Sequence, residues 1–278
     1  MTPELQRIER RGENGGFRPL CNVDEGIFAV TETYRFANIV VRIESIYRQV
    51  HRLCEAYRAD GATPDFSIGI TQDDLDFERQ CSERSNALLG RKNRTSSDDY
   101  LEELAVYRKI AERMPSFGTV LMHGSCIAVD GEAFLFTAKS GTGKSTHARL
   151  WRKLLGDRAV MINDDKPLVR ISEGGADVYG TPWDGKHHLS INGSAPLKAI
   201  CILERAERNA IRRIGAAEAY PMLLQQTYRP QDAAAMRETL ALIDRLKNAV
   251  DLWRLGCNMD PEAAELAYNA MKGASKDV

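Results

Sequence analysis

Residues Ala138 to Thr146 read A-K-S-G-T-G-K-S-T. Gly141 and Gly143 permit a loop whose successive backbone N–H groups turn inward with no Cβ in the way. Lys144 can reach the β- and γ-phosphates of a nucleoside triphosphate, and the Ser145 hydroxyl can ligate Mg²⁺. Ser140, Gly141, Thr142, Gly143, Lys144, Ser145 and Thr146 are therefore the candidate nucleotide-binding residues. Ala138 stands where the general pattern G-x-x-x-x-G-K-[ST] has its first glycine. That position matters less than Gly141 and Gly143, because the amides that wrap the phosphates come later in the loop.

A phosphate loop needs an acidic partner. Asp164-Asp165 follows directly on the apolar run Val160 to Asn163. Carboxylates at the C-terminal end of a strand lie where ligands bind in α/β sheets. One can hold Mg²⁺ and the other can accept the proton of an attacking hydroxyl. The residues alone leave the order open; Ser145 and Asp165 are the candidate metal ligands. Alone, such a pair reads as a turn or cap after a strand; beside the loop it reads as functional. His123-Gly124 lies one strand upstream, where a histidine serves either structure or chemistry. A further segment, Gly180 to His188, reads G-T-P-W-D-G-K-H-H. It is either a surface loop with Trp183 tucked into the core, or a substrate loop with Lys186 as a second cation on the transferring phosphoryl group.

These residues need elements to position them. Asp130-Gly131 between apolar runs predicts a hairpin whose second strand, Glu132 to Thr137, feeds the loop. A helix, Ser145 to Leu155, should leave it, which is the strand–loop–helix context the motif requires. Val160 to Asn163 reads as a buried strand, Leu168 to Tyr179 as a hairpin and Leu197 to Glu204 as a buried strand. Helices are expected over Ala216 to Tyr228 and Gln231 to Lys247, then a strand D-L-W-R-L. A last helix should open with Asp260 at its N-cap and Pro261 at its first position.

Before the Pro115-Ser116 connection the texture differs. Residues 1 to about 18 are polar and read as a mobile lead-in. Phe36 to Ile43 reads as one strand, followed by a helix that includes Ile46 to Tyr57. Asp65 to Thr71 alternates like a short strand, and Thr71 can cap the helix after it. Gly90 to Ser97 is a polar loop. A helix then runs from Ser97 to Met114-Pro115, with Tyr100, Leu104, Tyr107 and Ala111 on a packed face. Two domains are expected, 1–117 and 118–278, the first an α+β unit that packs against the second or binds the acceptor.

The totals exclude other classes. There are 38 basic and 39 acidic residues, so the chain as a whole offers no attraction to nucleic acid or an anionic membrane. No window of 18 apolar residues exists to span a membrane, and no apolar leader opens the chain. The six cysteines fall at no zinc spacing and read as buried thiols of a cytoplasmic protein.

The order H-G-S-C-I-A-V-D-G-E-A-F-L-F-T-A-K-S-G-T-G-K-S-T, then M-I-N-D-D, resembles the HPr kinase/phosphorylase and ATP-type phosphoenolpyruvate carboxykinase superfamily. The likeness spans roughly residues 118 to 205. It implies an α/β fold with a mixed-sheet P-loop kinase core and loop S-G-x-G-K-[ST] at Ser140 to Ser145. It also implies ATP and Mg²⁺ as cofactors, with Lys144 on the phosphates and Ser145 on the metal. Asp164 and Asp165 would be metal contact and base, with His123 beside the transfer site. Relatives assemble, so a homo-oligomer is implied as well. The departures matter too. Gly180 to His188 stands where the HPr kinases carry an E-x-R-G-x-G-type signature, and the acidic pair continues D-D-K-P. HPr as substrate, and a reverse phosphorylase activity, do not follow.

The expected function is Mg²⁺-dependent transfer of the ATP γ-phosphoryl group to a hydroxyl of a small metabolite, a free amino acid or a peptide serine. A carboxykinase-like lyase is the second enzymatic reading, and a nucleotide-binding sensor is the non-catalytic one.

Overall fold

A computed structural model describes residues 30–88, 90 and 96–273. The expected lead-in at residues 1–18 and most of the Gly90 to Ser97 loop lie outside the described residues.

β1 (Val30–Phe36) and β2 (Ile39–Ser45) form an antiparallel hairpin, and β3 (Phe66–Gly69) runs parallel to β2. The single strand expected over Phe36 to Ile43 is thus two strands. The chain reverses at Ala37-Asn38, with φ 50° and 64°. Two positive-φ residues build the mirror-image turn that matches strand twist. Asn tolerates that geometry but alanine is an uncommon occupant, so the dipeptide carried little turn signal.

The helix expected to include Ile46 to Tyr57 is only α1 (Gln49–Leu53) followed by a 3₁₀ turn at Glu55–Tyr57. α2 (Gln72–Leu88) begins after Thr71, whose N–H and hydroxyl both donate to Asp74. α3 (Asp98–Arg113) follows Ser97, whose side chain makes no capping bond. Of the expected face, Ala111 is buried, Tyr107 packs against Trp183 and Tyr228, and Leu104 is half-buried. Leu101, Ala105, Val106, Ile110 and Ala111 are buried, whereas Tyr100 is 49% exposed. Aliphatic residues at helical spacing outweigh the aromatics here.

The second half is built around one mixed sheet. Its members are β4 (Thr119–Leu121), β5 (Ser125–Val129), β6 (Glu132–Thr137), β7 (Ala159–Asn163), β8 (Leu168–Ser172), β9 (Gly175–Tyr179), β10 (Ser194–Arg205), β11 (Ala210–Arg213) and β12 (Asp251–Cys257). The order is β4-β8-β9-β10-β6-β5-β7, with β12 also on β10 and β11 on β12. β10 curls the sheet: its first residues pair antiparallel with β9, and its later ones pair in parallel with β6 and β12. α4 (Lys144–Leu155), α5 (Ala216–Gln226), α6 (Ala233–Ala249) and α7 (Glu262–Lys272) pack around the sheet, α7 opening one residue later than expected. β11, a short edge strand without a sequence signal of its own, pairs with β12 alone among the described strands.

Strand direction decides where chemistry gathers. β6, β10 and β12 are mutually parallel, so their C-terminal ends share one edge of the sheet. β5 is antiparallel to both β6 and β7, so its first residues meet the ends of those two strands. Ser125 pairs with Phe136, and Cys126 with Asn163.

Packing holds this edge from both faces. Under α4, Trp151 is fully buried against Phe134, Phe136 and Tyr268, with ring centroids 5.0–5.5 Å apart. Such aromatic pairs contribute about 0.5–1.5 kcal/mol each beyond burial. On the opposite face Leu135, Ile200 and Ile202 pack with Leu223 of α5 and Ile243 and Leu246 of α6. A further cluster joins the buried residues of β1, β2, α1 and α3 to Leu121 of β4 and Leu168 of β8.

Candidate functional site

β6 delivers the loop. Gly141 and Gly143 take φ of 77° and 122°, conformations that side chains disfavour, so the backbone curls and α4 starts at once with Lys144. Lys144 is only 8% exposed, and its Nζ donates to the Ala138 carbonyl at 3.3 Å. The residue that departs from the general motif thus anchors the lysine through its backbone. Burial lowers the Lys144 pKa, while Asp165 and Asp164 hold it up.

β7 delivers the acids. Asn163 folds them back: its Oδ1 accepts from the N–H groups of Asp165 and Lys166, and its Nδ2 donates to the Thr181 carbonyl and hydroxyl. Asp164 is 7% exposed, and its Oδ1 accepts from the Ser125 hydroxyl at 2.6 Å. Asp165 lies 3.4 Å from His123 Nε2 and 3.4 Å from Lys166 Nζ.

His123 stands just before β5. Its backbone N–H donates to the Gln226 carbonyl, and its Nδ1 is 2.9 Å from the Gln226 side-chain oxygen. Burial first, then the neighbouring Lys144, lowers the His123 pKa against the opposing pull of Asp165. The imidazole is therefore neutral at pH 7. Gly124 after it is required by space, since a Cβ there would come within 2.8 Å of Leu135 and 2.9 Å of the Phe136 carbonyl.

The Gly180–His188 segment arches over the acids. A Cβ on Gly180 would lie 1.9 Å from the Ile191 carbonyl oxygen. Trp183 packs against Phe36 and Tyr107, at 5.5 and 5.6 Å, so the aromatic ring is indeed taken into a core. Asp184 accepts from Ser190 and contacts His188, which closes the turn. Lys186 and His187 are exposed.

One hollow of about 420 Å³ is lined by Ser140, Gly141, Gly143, Lys144, Ser145 and Thr146, with His123, Asp164, Asp165 and Lys186 on its other walls. Thr142 alone among the expected residues turns away from it, lining a separate hollow on the far side of the loop. A third hollow of about 300 Å³ shares Ser145, Thr146 and Asp164 and adds Arg149 and Arg152 from α4. Ser125, Asn163, Gln226, Arg149 and Arg152 were not foreseen. Asn163 had a readable signal, an amide directly before two acids. The others depend on register or helical phase.

Among the described residues, no helix is long and apolar enough to cross a membrane. No curated protein matches the chain. Among solved structures, the HPr(Ser) kinase/phosphatase of Coxiella burnetii is a distant likeness, 11% identical over 55% of this chain and 99% of that one, with a TM-score of 0.34. A family model described as SynChlorMet cassette protein ScmC matches residues 94–254, which include the loop, both acids and His123. That match covers more than half of the chain, which is therefore a member of the SynChlorMet cassette protein ScmC family.

Proposed function

We propose that this chain is an Mg²⁺-dependent kinase that transfers the γ-phosphoryl group of ATP to a hydroxyl. The observation that carries this reading is the single hollow shared by the glycine-bounded loop, Lys144, Ser145, Asp164, Asp165 and His123. The mixed-sheet kinase core and the division into 1–117 and 118–278 belong to the same proposal.

The donor set suits magnesium. Among the described residues no group of three or more His, Cys, Asp or Glu side chains could hold a metal. Magnesium asks for less: one or two carboxylates, with water and substrate phosphate supplying the rest. Ser145 and Asp165 would hold it, both being oxygen donors on the wall of the hollow. When bound, the ion would neutralise charge on the phosphate oxygens.

The remaining roles fall to the chain. The loop amides and the start of α4 would bind the β- and γ-phosphates, with Lys144 as the adjacent cation. Asp164 would be the base. It lines both the phosphate hollow and the one that holds Arg149 and Arg152, so it lies between donor and acceptor. Ser125 occupies its Oδ1, which leaves Oδ2 to take the acceptor proton as the new O–P bond forms and the bond to ADP breaks. Lys186 would meet the transferring group from the arch. Residues 1–117 would buttress that arch through Phe36 and Tyr107. Arg149 and Arg152 favour an acceptor that carries an anionic group beside its hydroxyl, such as a free amino acid or the end of a peptide.

The test is ADP release from ATP and Mg²⁺ across a panel of hydroxylated acceptors. Asp164→Asn should lower kcat by about 10²–10⁴-fold while ATP still binds. Carbon dioxide release with oxaloacetate would select the lyase. Tight ATP binding without turnover on any acceptor would select the sensor.

A further inference from the structure

The phosphate loop has a second side. There, a hollow of about 500 Å³ runs from Gly141–Gly143 to the ends of β10 and β12. Leu150, Leu203 and Cys257 make its apolar walls, and Met259, 78% exposed, stands at its rim. Arg205 fixes the wall nearest the loop by donating to the Gly141 carbonyl at 2.5 Å. The volume and the apolar lining with few polar groups are those of a small-molecule site. Its place, at the carboxyl ends of parallel strands, is where α/β sheets bind ligands.

One polar group on this wall is incomplete. His147 is 2% exposed and lines the hollow. Trp151 Nε1–H donates to its Nε2 at 3.1 Å. An indole nitrogen can only donate, so Nε2 must be the bare nitrogen and the imidazole N–H must sit on Nδ1. Nδ1 has no partner among the described residues and is itself covered, so a ligand in the hollow meets it only after a small shift of the ring or its cover. Phe136 meets the ring edge-on at 4.7 Å, which limits its freedom to turn elsewhere. A buried donor left without an acceptor is costly, and native structures rarely keep one without a purpose.

We propose that this hollow holds the nucleobase of the bound nucleotide, and that His147 Nδ1–H donates to a ring nitrogen of a purine. The inference rests on the kinase reading in one respect, that the loop binds a triphosphate. It adds where the base goes and which atom reads it. α4 then serves both ends of the ligand, with Lys144 on the phosphates and His147, one helical turn on, under the base. The hydrogen bond is fixed in direction by Trp151, so the site prefers a base that offers an acceptor and not a donor at that point.

Calorimetric titration with ATP and with inorganic tripolyphosphate separates the two layers. Wild-type protein should bind ATP at least tenfold more tightly than tripolyphosphate. His147→Phe keeps an aromatic ring and deletes the donor; ATP affinity should fall about tenfold while tripolyphosphate is unaffected. Ala206→Trp, at an exposed position on the same wall, should fill the hollow with little strain and bring ATP affinity down to that of tripolyphosphate. Equal wild-type affinities for the two ligands, or ATP binding that survives both substitutions, would overturn the base site and leave the phosphate loop standing. Failure of the wild-type protein to bind either ligand would overturn both.

Discussion

His51 and His147 are both buried histidines, one in each half of the molecule, and they are finished differently. His51 has partners at both ring nitrogens: Nδ1 meets the Tyr34 hydroxyl at 2.7 Å, and Nε2 meets the Ser45 hydroxyl at 2.7 Å and the Val30 carbonyl at 3.0 Å. It ties β1 and β2 to α1, and every polar atom is used. His147 has one nitrogen bonded and one with no partner among the described residues, beside a hollow. A structural histidine closes its own hydrogen-bond accounts; one that serves a ligand leaves an atom open until the ligand arrives. Burial alone does not separate the two.

The sharpest way to break that distinction is to remove each ring. His51→Leu removes the hydrogen bonds to Tyr34, Ser45 and the Val30 carbonyl, while Tyr34 keeps Glu32 and Ser45 keeps the Tyr47 carbonyl. At about 0.5–1.5 kcal/mol for each bond lost it should cost about 3 kcal/mol. His147→Leu should cost much less, about 1 kcal/mol, because the loss at Trp151 is partly offset by removing an unpaired donor. Urea unfolding of the two variants decides it; equal costs would mean that His147 is as structural as His51.

Acid probes the same contrast by another route. Burial pushes His147 down to about 4, and burial also lowers His51 against the pull of Glu32. Both are neutral in the fold at pH 7, whereas the unfolded chain binds protons near the ordinary histidine value of about 6.5. The stability that comes with a neutral ring is complete above that value and is lost as pH falls toward the folded-state value. For His147 the loss should reach about 3 kcal/mol by pH 4, at about 1.4 kcal/mol for each pH unit crossed. His147→Gln, which can still accept from Trp151, should flatten that part of the stability curve. A curve as steep as the wild type would place the sensitivity on His51 or elsewhere.

Much of the site's scaffold was legible, for reasons that differ by residue. Asp130-Gly131 is a turn dipeptide whose backbone preference is local, and it turns where expected. Lys144, Ser145 and the two acids lie on motifs that need only a strand before them and a loop after. Ala37-Asn38 escaped notice because alanine seldom sits at positive φ, so the turn is imposed by the pairing of Phe36 with Ile39 and the strands beyond. The packed face of α3 is legible in part: Tyr107 and Ala111 pack as expected, but Tyr100 is exposed and the aliphatic series Leu101, Ala105, Val106 and Ile110 carries most of the burial. Ser125 and Gln226 reach the acids and His123 only through sheet register and the docking of α5, which no local pattern encodes. His147 and Trp151 were readable in part. Four residues apart on one helix, they had to be neighbours, but nothing in that spacing says that one nitrogen would be left open.

The smallest effect tests the finest claim, that Trp151 sets the tautomer. Trp151→Phe keeps an aromatic ring between Phe134 and Tyr268 but deletes the one donor to His147 Nε2 among the described residues. The imidazole proton is then free to sit on either nitrogen. If the two forms become equally populated, only half of the molecules offer an N–H to the base, and apparent ATP affinity falls by about twofold. Tripolyphosphate affinity should stay where it was, because the loop is untouched. Nitrogen chemical shifts of His147 should report one tautomer in the wild type and a mixture in the variant. An ATP loss as large as that of His147→Phe would mean that Trp151 acts by holding the ring in place. An unchanged affinity together with a mixed tautomer would mean that the base takes its hydrogen bond from another group, and the open nitrogen of His147 would then have to be explained without the nucleotide.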